Sequence, residues 1–238
     1  MNIILLNQQQ IHDQTAIISD QATIKHIQTV LQASVGDDLK IGVIDGLMGV
    51  ATIVEMSDEQ IRLILPNDWK NPPAKLGVTV VLALPRPKVL RRLMMDMTAI
   101  GVNQIVLINS VRTEKSYWAS PLLARIDEFV IEGLQQGVDT VRPKIVLAKR
   151  FKPFVQDELP GLIVDKKAVV AHPYAEQNFA THIANYGLPS VLIVGAEGGF
   201  VPYEIELLQS VGVVATSLGE RILRTESAIN ALLGRWLA

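Results

Sequence analysis

The chain has 238 residues, 49% of them hydrophobic and 19% charged, with 22 Lys and Arg against 24 Asp and Glu. Such a composition supplies a sizeable core and excludes a disordered chain, and the length suits one large domain or two modest ones. With no cysteine, disulfides, thiolate zinc sites and cysteine nucleophiles are excluded.

Residues 3–6 and 15–18 are β-rich. Asp20 can cap a helix whose Ile24, Ile27, Val30 and Leu31 follow helical spacing. Gly36-Asp37 reads as a turn. Segments 39–44 and 50–54 flank Asp45-Gly46, a hairpin signal, and 61–65 supplies another strand. Several short strands with one helix predict a small barrel. Residues 66–73 carry Pro66, Pro72 and Pro73, which resist regular structure and mark the linker. The division predicted is residues 1–72 and 73–238. Charge divides there too: 4 Lys and Arg against 9 Asp and Glu before Pro73, and 18 against 15 from it onward.

From Val78 the pattern alternates strands and helices. Residues 78–84 form an apolar strand, followed by a helix bearing Leu90, Leu93, Met94, Met97 and Ile100, then strand 105–108. A helix over 122–134 precedes strands at 145–148, 168–171, 191–194 and 213–217, and a final helix covers 228–237. Buried runs separated by helices indicate an α/β domain with a parallel sheet.

Ligands of open parallel sheets bind beyond the carboxyl ends of strands. Three loops stand out there. One reads His172-Pro173-Tyr174, the second Gly195-Ala196-Glu197-Gly198-Gly199-Phe200, and the third runs from Leu218 to Ala228. Glycines after a strand let backbone groups approach a ligand. Neither nucleotide fingerprint of the G-x-x-x-x-G-K or G-x-G-x-x-G kind fits. On its own, the third loop also reads as a helix start, with Thr225 capping and Glu226 favouring the positive end.

Taken together, residues 191–200, Glu204 and Leu218-Gly219-x-x-Ile222-Leu223-Arg224-Thr225-Glu226-Ser227-Ala228 resemble the end of the RsmE family, SPOUT-class methyltransferases of 16S rRNA. Residues 26–31, Gly36-Asp37 and Asp45-Gly46 are similar to its N-terminal PUA-like barrel, and Lys88 with Gly101-Val102 to its first knot-domain helix. The resemblance implies a PUA-like RNA-binding barrel over 1–72 and a trefoil-knotted SPOUT methyltransferase domain over 73–238, its parallel sheet flanked by helices on both faces. It also implies an S-adenosylmethionine cofactor, a homodimer, and 16S rRNA in the 30S subunit as partner. The family's reaction is methylation of N3 of uracil-1498. The residues implied to line the cofactor are Ala171, His172, Pro173, Ile193, Gly195, Glu197, Gly198, Gly199, Leu218, Gly219, Ile222 and Leu223.

Neutral uracil carries a proton on N3, so that proton must leave before or during attack on a sulfonium methyl. Arg224 is the candidate to stabilise the uracil anion. Glu226, or Glu197, is the candidate to accept the proton. Departures from the family pattern include Ala196 for proline, Ser227 for threonine, Gln32 for arginine, and missing charges at Ile100 and Val138. Three other readings stay open: a knotted RNA-binding or assembly protein without catalysis, a methyltransferase acting on another RNA, or a small-molecule or nucleotide-binding α/β protein unrelated to RNA. The scattered histidines predict no metal site. Residues 1–10 lack a charged leader, and no apolar run approaches the roughly 18 residues of a membrane span, so a cytoplasmic protein is expected.

Overall fold

Short strands that alternate apolar and polar residues bury one face only, and six of them in the first part of the chain surround a common core. The computed structural model describes residues 1–163, 165 and 167–237. β1 (Ile4–Leu6), β2 (Ile11–His12), β3 (Thr15–Ile18), β4 (Asp38–Val43), β5 (Met48–Met56) and β6 (Ile61–Ile64) form one sheet in the order β1-β4-β5-β6-β3-β2. β1 runs parallel to β4; the other pairings are antiparallel. The sheet is nearly closed, the barrel that the strand pattern predicts.

Its hairpin forms at Asp45-Gly46, where Gly46 donates its N–H to the Val43 carbonyl at 2.8 Å. Helix α1 (Gln21–Thr29) starts where Asp20 accepts the Thr23 N–H at 2.8 Å. Ile24 and Ile27 join Leu6, Ile18, Ile41, Ile53 and Leu63 in the core.

The chain forms two compact units, and the first unites residues 1–74 with 130–142. Polar bonds explain why a distant segment belongs there. Asn2 donates its N–H to the Gln135 carbonyl at 3.0 Å, and Asp45 to the Thr140 carbonyl at 2.8 Å. Arg142 pairs with the Asp45 carboxylate, and Asp139 accepts the N–H groups of Thr140 and Val141.

The second unit holds residues 75–129 and 143 onward. Its strands are β7 (Thr79–Ala83), β8 (Gln104–Ile108), β9 (Lys144–Ala148), β10 (Ala168–Ala171), β11 (Val191–Val194) and β12 (Val214–Thr216). All pair in parallel, in the order β12-β10-β11-β7-β8-β9. α2 (Pro87–Ile100) follows β7, with Pro87 in its first turn and Gly101 ending it at φ +98°. α3 (Ile126–Gly137) comes after two 3₁₀ turns, Lys115–Ala119 and Pro121–Arg125, so the helix predicted over 122–134 opens as a 3₁₀ turn capped by Ser120 and becomes α-helical at Ile126.

The sequence pattern misses the helical stretch formed by α4 (Phe151–Pro153), a π turn (Phe154–Glu158) and α5 (Leu159–Leu162). Pro153 and Pro160 argue against a helix there, and the π turn lies between them. α6 (Phe179–Tyr186), α7 (Pro202–Ser210) and α8 (Thr225–Leu233) complete the unit. Val81, Val106, Ile108, Val170 and Ile193 share a buried face with Phe154, Val155, Leu159, Ile205 and Leu208. The alternate residues Val80, Leu82, Ile105, Leu107 and Leu192 are buried as well, so the sheet is covered on both faces. α8 packs on α2, with Asn230 donating to Asp96 at 3.3 Å.

Candidate active site

Parallel strands deliver their following loops to one rim. Ala171 at the end of β10 is in register with Val194 of β11 and Thr216 of β12, so the loops that begin at His172, Gly195 and Ser217 leave side by side. Main-chain bonds stitch two of them together. His172 donates its N–H to the Thr216 carbonyl, Phe179 to the Ser217 carbonyl and Ser217 to the Gln177 carbonyl, each at 2.8 Å. The hydroxyl of buried Thr225 donates to the Gly195 carbonyl at 3.3 Å. That position therefore latches the third loop to the second. Arg224, not Thr225, occupies the cap of α8, and its side chain makes no capping bond.

The backbone shape of the second loop depends on glycine. A Cβ at position 195 would sit 2.9 Å from the Gly199 Cα, closer than folded chains allow. In the third loop Gly219 takes φ +103°, which other residues rarely adopt. Beside these loops the apolar side chains of Ile222 (69% exposed) and Leu223 (40%) face outward. Glycine-lined backbone next to uncovered apolar side chains suits a ligand with an aromatic base and a short apolar arm.

The structure thus gathers Ala171, His172, Pro173, Gly195, Glu197, Gly198, Gly199, Leu218, Gly219, Ile222, Leu223, Arg224 and Glu226 at one rim. Ile193 differs: its side chain is wholly within the core, so only its backbone is available. His172 is half-buried, and burial lowers its pKa from the ordinary 6.5. Its ring packs edge-on to Tyr174 at 5.7 Å.

Three contacts that shape this rim escaped the sequence reading. The first is Arg86, the cap of α2, which follows β7 on the same rim. Its backbone N–H and its Nε both donate to Glu197 Oε1, at 3.2 and 2.9 Å. The hydrogen bond to Glu197, then the charge of that carboxylate, raises the Arg86 pKa, with smaller contributions from Tyr117 and Glu226. Arg86 was legible only as one of a run of cations. The second is Arg112, whose Nη1 donates to the Gly198 carbonyl at 2.5 Å.

The third is the role of Glu204. This buried carboxylate accepts the Val111 N–H at 2.8 Å and the Val201 N–H at 2.9 Å. It joins the loop after β8 to the loop after β11. A glutamate in the first turn of a helix, two residues after Pro202, reads as a surface residue without the fold.

Residues 72–237 match the model of the RNA methyltransferase domain family, and the chain belongs to that family. Within it the RsmE resemblance holds. The ribosomal RNA small subunit methyltransferase E of Treponema pallidum is 27% identical over 236 residues, spanning 96% of this chain and 87% of the relative. The solved methyltransferase E of Neisseria gonorrhoeae, bound to S-adenosylmethionine, superposes with a TM-score of 0.77 at 18% identity, over 99% of this chain and 96% of that one. A Legionella pneumophila methyltransferase, also with S-adenosylmethionine, gives 0.75 at 20% identity over the same shares. These likenesses establish the barrel and the SPOUT domain as the shared fold. Among the described residues, no helix is long and apolar enough to cross a membrane.

Proposed function

We propose that this chain is an S-adenosylmethionine-dependent methyltransferase of 16S rRNA, acting in the cytoplasm as a homodimer on N3 of a uridine, with uracil-1498 as the family target. One observation carries the reading. In a chain of the RNA methyltransferase family, the loops after β10, β11 and β12 leave the sheet side by side, and Arg86, which follows β7, pairs with Glu197 beside their glycine-lined backbone.

The residues present fit the cofactor. Gly195 leaves the room that a Cβ would fill, and Ile222 and Leu223 offer uncovered apolar surface. The backbone of 171–173, 195–199 and 218–219 would hold its polar groups. S-adenosylmethionine, when bound, supplies an electrophilic methyl on sulfur.

The remaining chemistry belongs to the side chains. Arg224 is exposed at the start of α8 and can reach outward to a uracil carbonyl, where its charge stabilises the anion left when N3 loses its proton. Glu226, in the first turn of α8, is the proton acceptor. Glu197 is the weaker candidate, since its Oε1 already accepts two N–H groups from Arg86.

Calorimetric titration with S-adenosylmethionine and S-adenosylhomocysteine tests the reading. Saturable binding is expected, weakened at least tenfold by Gly195→Ala. Assays on 30S subunits and on naked rRNA should then yield N3-methyluridine. A folded protein that binds neither compound overturns the proposal. A monomer mass at every concentration in sedimentation overturns the dimer.

A further inference from the structure

The rim has a second half. β7, β8 and β9 continue the parallel sheet beyond β11, with Ala83 in register with Ile108 and Ile108 with Ala148. Their carboxyl ends therefore lie beside the loops just described, but they carry different chemistry. A short 3₁₀ turn after β8, Lys115–Ala119, presents Tyr117 and Trp118 half-buried. The Trp118 indole is pinned: its Nε1 donates to Asn109 Oδ1 at 2.8 Å, just past the end of β8. Lys149, just past the end of β9, holds its Nζ 5.9 Å from the centre of the same ring. Lys115, Lys149, Arg150 and Lys152 are all exposed.

An aromatic face held at a fixed angle and flanked by cations matches one kind of partner well. Phosphates seek the cations, and an unstacked base seeks the ring face. A duplex hides its base faces inside the stack and offers the ring nothing. We infer that Trp118, with Tyr117 and the cations at 115, 149, 150 and 152, forms a docking surface for a single-stranded stretch of RNA that leads to the adjoining site. This inference rests on the RNA substrate proposed above and adds where the strand runs and that it is unpaired. Arg86 connects the two halves, since it leaves β7 on the strand side and bonds Glu197 on the cofactor side.

The test compares wild type with Trp118→Leu, Trp118→Phe and a triple variant carrying Lys149→Gln, Arg150→Gln and Lys152→Gln. Fluorescence anisotropy reads the binding of a short labelled single-stranded RNA, and of the same sequence as a duplex, across a salt series. For single strands each lost phosphate contact lowers the salt slope by about 0.7, so the triple variant should lose about 2 from that slope. Trp118→Leu should bind roughly tenfold more weakly at an unchanged slope, and Trp118→Phe should recover most of the loss because its ring still stacks. Circular dichroism checks that Trp118→Leu folds, and the triple variant tests the surface without touching the packed ring.

Wild-type affinity and slope in both the triple variant and Trp118→Leu overturn the inference, as does duplex binding as tight as single-strand binding. Calorimetry with S-adenosylmethionine on the same proteins separates the two proposals. RNA binding of the expected kind without cofactor uptake overturns the methyltransferase reading alone. Cofactor uptake with RNA binding unmoved by the variants overturns the docking surface alone.

Discussion

The two units use charge for different ends. Residues 1–74 with 130–142 hold 5 Lys and Arg against 11 Asp and Glu, while the rest of the chain holds 17 against 13. In the first unit three of the acids secure local backbone. Asp20 caps α1, Asp37 accepts the Ser34 N–H at 2.7 Å, and Asp139 accepts two N–H groups of its own turn. In the second unit, charged groups bridge loops from different strands: Arg86 to Glu197, Arg112 to the Gly198 carbonyl, and Glu204 to Val111 and Val201. A charge that closes a turn can be lost without touching chemistry elsewhere. A charge that bridges two rim loops cannot.

The largest expected effect tests that contrast directly. Arg224→Ala and Glu226→Gln should each lower turnover by about a hundredfold or more, the usual scale for a lost acid–base or charge-stabilising group. Cofactor affinity should stay within a few-fold. Near-normal turnover in both variants would leave these residues as helix-end structure and would erase the functional side of the comparison.

Next comes Glu204→Ala. It leaves two backbone N–H groups without their buried carboxylate, each bond to a charged partner being worth about 1.5–3 kcal/mol, so a loss of about 3 kcal/mol in unfolding free energy is expected. Cofactor binding should weaken in the same protein, because the loop after β11 is no longer tied at Val201. Urea denaturation and calorimetry read the two effects. Glu204→Gln keeps one acceptor oxygen and should recover part of both.

The counterpart in the first unit is much milder. Arg142 and Asp45 are about half exposed, and exposed pairs contribute at most about 1 kcal/mol. Asp45→Asn should therefore shift the urea midpoint only slightly and leave cofactor titrations unchanged. A loss of cofactor binding in that variant would break the division of labour between the units.

Much of this architecture is legible in the sequence because its signals are local. Apolar runs of Val, Ile and Leu find the parallel strands, Asp45-Gly46 finds the hairpin, and glycines after strands find the rim loops. Other features depend on what lies far away in the chain. Residues 130–142 begin inside α3 with no composition break, so nothing marks their place with the first unit until Asn2 meets Gln135. Arg86 reads as one more surface cation until the register of β7 and β11 brings it to Glu197, more than a hundred residues on. Pro153 and Pro160 signal a loop where a π turn lets a helical path continue. Periodicity reports what a segment needs to bury, and it is silent on which distant polar group will answer it.

The smallest effect concerns protons, and both groups lie in the second unit. Burial lowers the pKa of His172 and of His182 from the ordinary 6.5. Buried His182 leaves its Nδ1 without a hydrogen-bond partner among the described residues, and its ring lies 5.1 Å from that of Tyr186. Well above pH 6.5 both imidazoles are neutral folded or unfolded, so there they give stability no pH dependence. As pH falls below 6.5 the unfolded chain takes up protons that the folded chain refuses, and stability declines until the folded pKa values are passed. The urea midpoint should therefore drop modestly between pH 7 and the acid side of that window. A double variant, His172→Asn with His182→Asn, should flatten the decline even if its midpoint at pH 7 is lower. A double variant that declines as steeply as wild type would assign the acid sensitivity to carboxylates, and the acid-rich first unit would be the place to look for them.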